Sequence, residues 1–115
     1  MPEFVVKRIY ELAEPEDGTR VLVDRLWPRG VSKDVAALDA WAKDAAPSDG
    51  LRKWYHAGEG SFEAFSTRYR AELDALDDAV FGVFAVEGRV TLLYASKDDA
   101  QNHAIVLAEF LRGRS

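Results

Sequence analysis

The sequence contains no cysteine. The chain therefore cannot form a disulfide, use a thiolate nucleophile or bind zinc through thiolates. Histidine is nearly as scarce, because His56 and His103 are the only two. They could join Asp24 in a metal site in principle, but the three positions lack the spacing of a ligand cluster. We accordingly expect no metal and no cofactor.

The sequence also lacks long apolar runs and an excess of basic residues. No run approaches the roughly 18 apolar residues that span a bilayer, and residues 1–4 do not resemble a secretory leader. The net charge of −5 and the pI near 5.0 argue against broad attraction to nucleic acid or to anionic membranes. We expect a cytoplasmic protein that does not bind membranes. Nucleic acid is an unlikely partner, although the net charge still allows a local basic pocket.

What is present is the composition of one globular domain. The 115 residues are 48% hydrophobic and 30% charged, which is enough to bury a core without disulfides. Residues 4–10 and 90–95 have the composition of strands. Residues 20–26 have a continuous apolar centre, which predicts a strand covered on both faces in the middle of a sheet. Oligomeric state is beyond the sequence.

Helices are predicted between these strands. Residues 32–46 are ambiguous, and we favour a brief helical turn followed by a short strand near 38–43. Ser48 or Asp49 is a candidate N-cap for a one- or two-turn helix, and Ser61 precedes a long amphipathic helix. Residues 79–86 are interpreted as a second helix that ends at Glu87-Gly88. Residues 96–99 offer caps for a final helix.

These elements indicate an α/β protein. We predict a single small domain, with a mostly parallel sheet of about four strands flanked by helices in a Rossmann-like three-layer arrangement. In open sheets of this class, ligands bind beyond the carboxyl ends of the strands. The turn between the strand at 90–95 and the final helix is one such position, and residues 24–30 are another.

Several motifs agree in order and spacing with a known family. The sequence closely resembles the YeaO-like branch of domain-of-unknown-function family 488 (DUF488) over nearly its whole length, so the expected domain is residues 1–115. The motifs that carry the resemblance are Asp24-Arg25-Leu26-Trp27-Pro28-Arg29-Gly30, Trp54-Tyr55-His56, Phe65 with Arg68-Tyr69, Thr91-Leu92-Leu93-Tyr94-Ala95, Lys97-Asp98 and Asn102-His103-Ala104.

The resemblance implies a small α/β domain and does not specify an activity. The wider family often has a cysteine in the last strand and a cysteine–histidine–arginine triplet on the last helix. This sequence has Tyr94 and Asn102-His103-Ala104 at those places. A thiol-dependent role therefore does not transfer, and what remains is the acid–arginine pair, the histidine and the lysine–aspartate turn.

The candidate site combines proton-transfer and anion-binding residues. Asp24 and His103 are the candidate catalytic pair, because imidazole titrates near neutrality. Arg25, Arg29 and Lys97 are candidates for binding an anion, and the fork of Arg29 suits a carboxylate or a phosphate. Further candidate ligand-binding residues near these strand ends are Trp27, Tyr94 and Asn102.

Each candidate has a structural alternative. A salt bridge to Lys97 or Asp98 would explain Asp24 or Arg25, and the tryptophans could simply be core residues. Two functions stay open. One is an enzyme or ligand-binding domain with an anion pocket for a phosphate- or nucleotide-like compound. The other is a non-catalytic module that binds a protein or nucleic acid through an exposed patch containing Trp27 and Trp54.

Overall fold

Four parallel strands form a single sheet in the computed structural model, which describes residues 3–114. The strands are β1 (Glu3–Arg8), β2 (Thr19–Leu22), β3 (Ala40–Trp41) and β4 (Arg89–Tyr94), in the spatial order β1-β4-β2-β3. The predicted α/β class is confirmed, and β2 and β4 are the central strands. Met1 and Pro2, which formed part of the expectation about a leader, lie outside the described residues.

Helices connect the strands. They are α1 (Lys33–Ala36), α2 (Asp49–His56), α3 (Phe62–Asp74) and α4 (His103–Arg114), with short 3-10 helices at Pro15–Asp17, Lys43–Ala45 and Asp78–Phe84. The predicted caps of α2 and α3 are confirmed. Ser48 accepts a hydrogen bond from the Leu51 amide, and Ser61 accepts one from the Ala64 amide, so each serine satisfies a free N–H of the first turn.

The two faces of the sheet are covered unequally. Val21 and Val23 point into the larger core, which α2, α3 and α4 cover, whereas the intervening Leu22 points into a smaller cluster with Ala36 of α1. This alternation follows from the two-residue period of a strand. The result is one compact domain with a thick helical layer on one face and only a one-turn helix and loops on the other.

Strand β2 is shorter than predicted, and the hydrogen bonds at its end also position Asp24. The amide of Val23 still donates to the Leu93 carbonyl, which continues the pairing of β2 with β4. The amide of Ala95, the first residue after β4, instead donates to the Asp24 side chain at 3.0 Å. A carboxylate thus replaces a backbone carbonyl and ends the ladder.

Two predicted helices differ from the structure. Residues 79–86 are largely a 3-10 helix, Asp78–Phe84, in which Gly82 and β-branched valines are poor α-helix formers. The final helix does not use residues 96–99 as caps. Asp98 accepts from the Ala100 and Gln101 amides in a separate turn, and α4 begins only at His103. In the part of the chain that the structure describes, no helix has the length and apolar character needed to cross a membrane.

Candidate functional site

A cavity of about 420 Å³ lies beyond the carboxyl ends of the two central strands. Its walls come from the segments after β2 and β4, from the segment before α2, and from α2, α3 and the start of α4. Four residues predicted to converge, Asp24, Arg25, Lys97 and His103, all line it, as does Asn102. The remaining lining residues are Leu26, Ala46, Pro47, Arg52, Tyr55, His56, Phe65, Ala95, Ser96 and Gln101.

Asp24 is held from three directions. Its Oδ2 accepts the Ala95 amide, and its backbone carbonyl accepts Nε1 of Trp41 at 2.7 Å. Its Oδ1 lies 2.7 Å from Nε2 of His103, and only about 15% of the Asp24 side chain is exposed. The carboxylate is therefore fixed in the wall of the cavity.

His103 is the first residue of α4, and Asn102 sets its position. The buried Asn102 side chain accepts from the Ile105 amide at 3.0 Å and donates to the Asp98 carbonyl at 3.0 Å, so it joins the helix start to the preceding turn. His103 is then directed at Asp24. The facing Nε2 and Oδ1 atoms are buried and close enough for an ion pair, but neither makes a hydrogen bond with ordinary directionality in residues 3–114.

Arg25 has structural partners. It donates from Nε to the Pro47 carbonyl and from Nη2 to the Ala46 carbonyl, each at 3.1 Å. The hypothesis of a salt bridge to Lys97 or Asp98 is wrong for both Asp24 and Arg25. The physical reason is that Asp24 is taken up by His103 and by the Ala95 amide, whereas Arg25 turns toward the segment before α2. Arg25 therefore forms part of the cavity wall, and its positive charge lies at the cavity.

Arg52 was not predicted as a site residue. Its Nη2 pairs with Asp49 at 3.1 Å, and its Nε is buried without a hydrogen-bond partner among the described residues. Tyr55 and Phe65 were likewise missed as cavity residues, and their ring centroids lie 4.7 Å apart. Locally, the sequence shows only a helix with an Asp-x-x-Arg spacing and an aromatic stripe, which also describe an ordinary helix surface and core.

Three predicted ligand-binding residues do not line the cavity. Arg29 is exposed on the loop after β2, where only its backbone carbonyl is used, by the Tyr10 hydroxyl. Trp27 packs against the smaller core cluster and donates to the Val31 carbonyl at 2.7 Å. Tyr94 is buried in the larger core, and this burial raises the pKa of its hydroxyl above the ordinary value. The loop bends away from the cavity after Leu26, which separates Arg29 and Trp27 from Asp24.

The patch predicted for a docking module is also not formed. Trp27 packs on the smaller cluster, whereas Trp54 packs on the larger core beneath the Arg68 guanidinium, 4.0 Å from the ring centre. Both indoles are half-buried. In the described ranges no group of three or more acidic or histidine side chains could hold a metal, and His56 lies exposed at the cavity rim.

The fold and the cavity define a class, a small parallel α/β domain with a ligand-sized cleft at the ends of its central strands. The chain belongs to the DUF488 family: the family model described as the inactive DUF488-N3 subclade matches residues 3–115. The predicted family is thereby confirmed.

The relatives extend over nearly the same length. The chain is 45% identical over 108 residues to the uncharacterised protein YeaO of Escherichia coli, covering 92% of this chain and 94% of the relative. It is 44% identical over 110 residues to an uncharacterised protein of Mycobacterium tuberculosis, covering 95% and 93%. No solved structure matches the chain significantly.

Proposed function

We propose that this protein binds a small anionic compound, phosphate- or nucleotide-like, in the cavity beyond β2 and β4. One observation carries the proposal. A cavity of about 420 Å³ opens at the carboxyl ends of the two central strands, and cationic side chains outnumber acidic ones among the residues that line it. Ligands of open α/β sheets bind beyond the carboxyl ends of the strands, and an excess of positive charge in such a cleft favours an anion.

The charges of the cavity support an anion. Arg25, Arg52 and Lys97 contribute three positive charges, against the single carboxylate of Asp24. Lys97 is exposed at the rim, where an ammonium group attracts an entering anion. Arg29, which we expected to reach the ligand, is not part of the proposed site.

Binding without catalysis is the preferred form of the proposal. The chain has no cysteine, and its subclade is described as inactive. A catalytic function is the second candidate, because Nε2 of His103 lies 2.7 Å from Oδ1 of Asp24, which brings an imidazole and a carboxylate together in the cavity wall. If the bound compound is converted, Asp24→Asn and His103→Gln should abolish its turnover, whereas in a pure binding domain the compound is recovered unchanged.

A thermal-shift screen tests the proposal. Phosphate, sugar phosphates, nucleotides, carboxylates and divalent metals are compared, and an anion at one hundred times its dissociation constant should stabilise the native chain by about 2.7 kcal/mol. The same anion should shift Lys97→Gln less than it shifts the native chain. Lys33→Gln is the matched control, since Lys33 is an exposed lysine on α1 outside the cavity lining. Equal shifts for the two variants, or no shift with any anion, would overturn the proposal.

A further inference from the structure

The cavity has both apolar and charged lining residues. The aromatic side chains, Tyr55 and Phe65, come from α2 and α3, and Ala46 and Pro47 add apolar surface from the segment before α2. Charged and titratable side chains come from the segments after β2 and β4, from the start of α4 and from α2, and they include Asp24, Lys97, His103, Arg52 and His56. A ligand that fits must therefore offer both an apolar face and polar groups.

The volume argues against a bare anion. The cavity of about 420 Å³ lies within the range of about 300–1,000 Å³ that is typical of sites for organic ligands. A single orthophosphate would fill only a small part of it.

The charged groups of the cavity set a second requirement for the ligand. Arg52 lies about one turn before Tyr55 on α2, and Lys97 is exposed on the segment after β4. Both are cationic donors, which suit a phosphate. The ligand therefore carries a negative charge beside its apolar face.

We infer that the ligand is a ring-bearing phosphate of nucleoside monophosphate size, with its ring against the half-buried Tyr55 and its phosphate toward Lys97 and Arg52. This inference rests on the proposed function and specifies the ligand of the same site. Every nucleobase has a flat π face that stacks on aromatic side chains such as that of Tyr55.

Titration calorimetry separates the contribution of the ring from that of the phosphate. The probes are the four common nucleoside monophosphates, ribose 5-phosphate and inorganic phosphate. We expect at least one nucleotide to bind roughly tenfold or more tightly than ribose 5-phosphate, as a stacked base provides. If ribose 5-phosphate or inorganic phosphate binds as tightly as every nucleotide, this inference fails and the proposed function stands. If none of the probes binds, both fail.

A variant tests the position of the ring. Tyr55→Leu keeps apolar bulk but removes the aromatic face, so it should weaken nucleotide binding about fivefold or more and change the affinity for ribose 5-phosphate by less than twofold. Tyr10→Leu is the matched control, because Tyr10 is 46% exposed and does not line the cavity. Equal weakening of both probes by Tyr55→Leu would overturn the stacking geometry.

A measurement on the native chain covers the case in which Tyr55→Leu fails to fold. In saturation-transfer NMR, the base protons of the bound nucleotide should receive more saturation than its ribose protons, because the base lies against the ring of Tyr55. Stronger saturation of the ribose would place the base in solvent and contradict the inference.

Discussion

Arg25 and Pro47 are joined by a hydrogen bond of 3.1 Å from the guanidinium Nε to the backbone carbonyl. A second bond, from Nη2, reaches the carbonyl of Ala46, so one planar fork fixes two successive peptide groups of the cavity wall. We predict that Arg25→Ala lowers the free energy of unfolding by about 2 kcal/mol, since bonds from charged donors contribute about 1.5–3 kcal/mol. Arg25→Lys should recover little of this loss, because an ammonium cannot reproduce the fork. Urea denaturation measures both changes.

Arg29 provides the matched comparison for Arg25. It is an exposed arginine on the same loop, and its side chain does not line the cavity. Arg29→Ala should therefore change the free energy of unfolding by less than about 0.5 kcal/mol. A loss as large as that of Arg25→Ala would contradict the assignment of the structural role to Arg25 alone.

Arg25 and Arg29 also show how far the sequence predicts the site. The end of a buried strand is a local pattern, so Asp24 and Arg25 could be placed near a cavity from sequence. The direction of the loop beyond them depends on tertiary packing, in which Trp27 joins the smaller core cluster and carries Arg29 away from the cavity. The most conspicuous arginine was thus misplaced because no local signal sets the path of a loop.

The helices likewise have some features that a local pattern predicts and others that depend on tertiary packing. Ser48, with Asp49 as the alternative, and Ser61 were predicted as caps from their residue type before an apolar helical pattern, and both serines cap their helices. Residues 96–99 were predicted as caps for α4 on the same ground, but α4 begins after Asn102, which was not predicted as a cap. Arg52 and Phe65 were missed because their place at the cavity depends on how α2 and α3 pack beside the strand ends, which periodicity does not reveal.

Asp17 should make stability depend on pH below about 4. Burial alone would raise the pKa of its carboxyl, but hydrogen bonds from the Glu14 amide, Lys7 and Arg20 outweigh burial and lower the pKa below its ordinary value. The unfolded chain therefore binds a proton here at a higher pH than the folded chain does. The stabilisation is complete above the unfolded pKa of about 3.9 and is lost as the pH falls through the folded pKa.

Asp17→Asn isolates this contribution. At pH 7 we expect a loss of about 3 kcal/mol, because the change leaves the guanidinium of buried Arg20 without its carboxylate and leaves half-buried Lys7 with only the exposed Glu14. The difference between the native chain and the variant should shrink as the pH falls below about 4. Denaturant titrations from pH 7 to pH 3 measure it, with the exposed Asp34→Asn as control. A difference that stays constant with pH would show that the lost stability is unrelated to the ionised carboxylate.

Asn102 should stabilise α4 through its cap. Asn102→Ala removes the acceptor for the Ile105 amide and the donor to the Asp98 carbonyl, so we expect a loss of about 1–2 kcal/mol in thermal or urea unfolding. Asn102→Ser keeps a capping oxygen and should recover part of the loss. If Asn102→Ser is no more stable than Asn102→Ala, the cap is not the source of the stabilisation.

Gly18 and Gly30 both have positive φ angles, of 66° and 78°, yet only one of them is in a confined place. A Cβ at Gly18 would collide with the backbone carbonyl of Arg89 at the start of β4, whereas a Cβ at Gly30 would meet no atom within 4 Å. Gly30→Ala should therefore cost only the backbone strain, about 1 kcal/mol, and Gly18→Ala should cost more than about 3 kcal/mol because β4 would have to move. Urea denaturation of the two variants separates strain from collision, and equal losses would show that the contact between residue 18 and β4 relaxes freely.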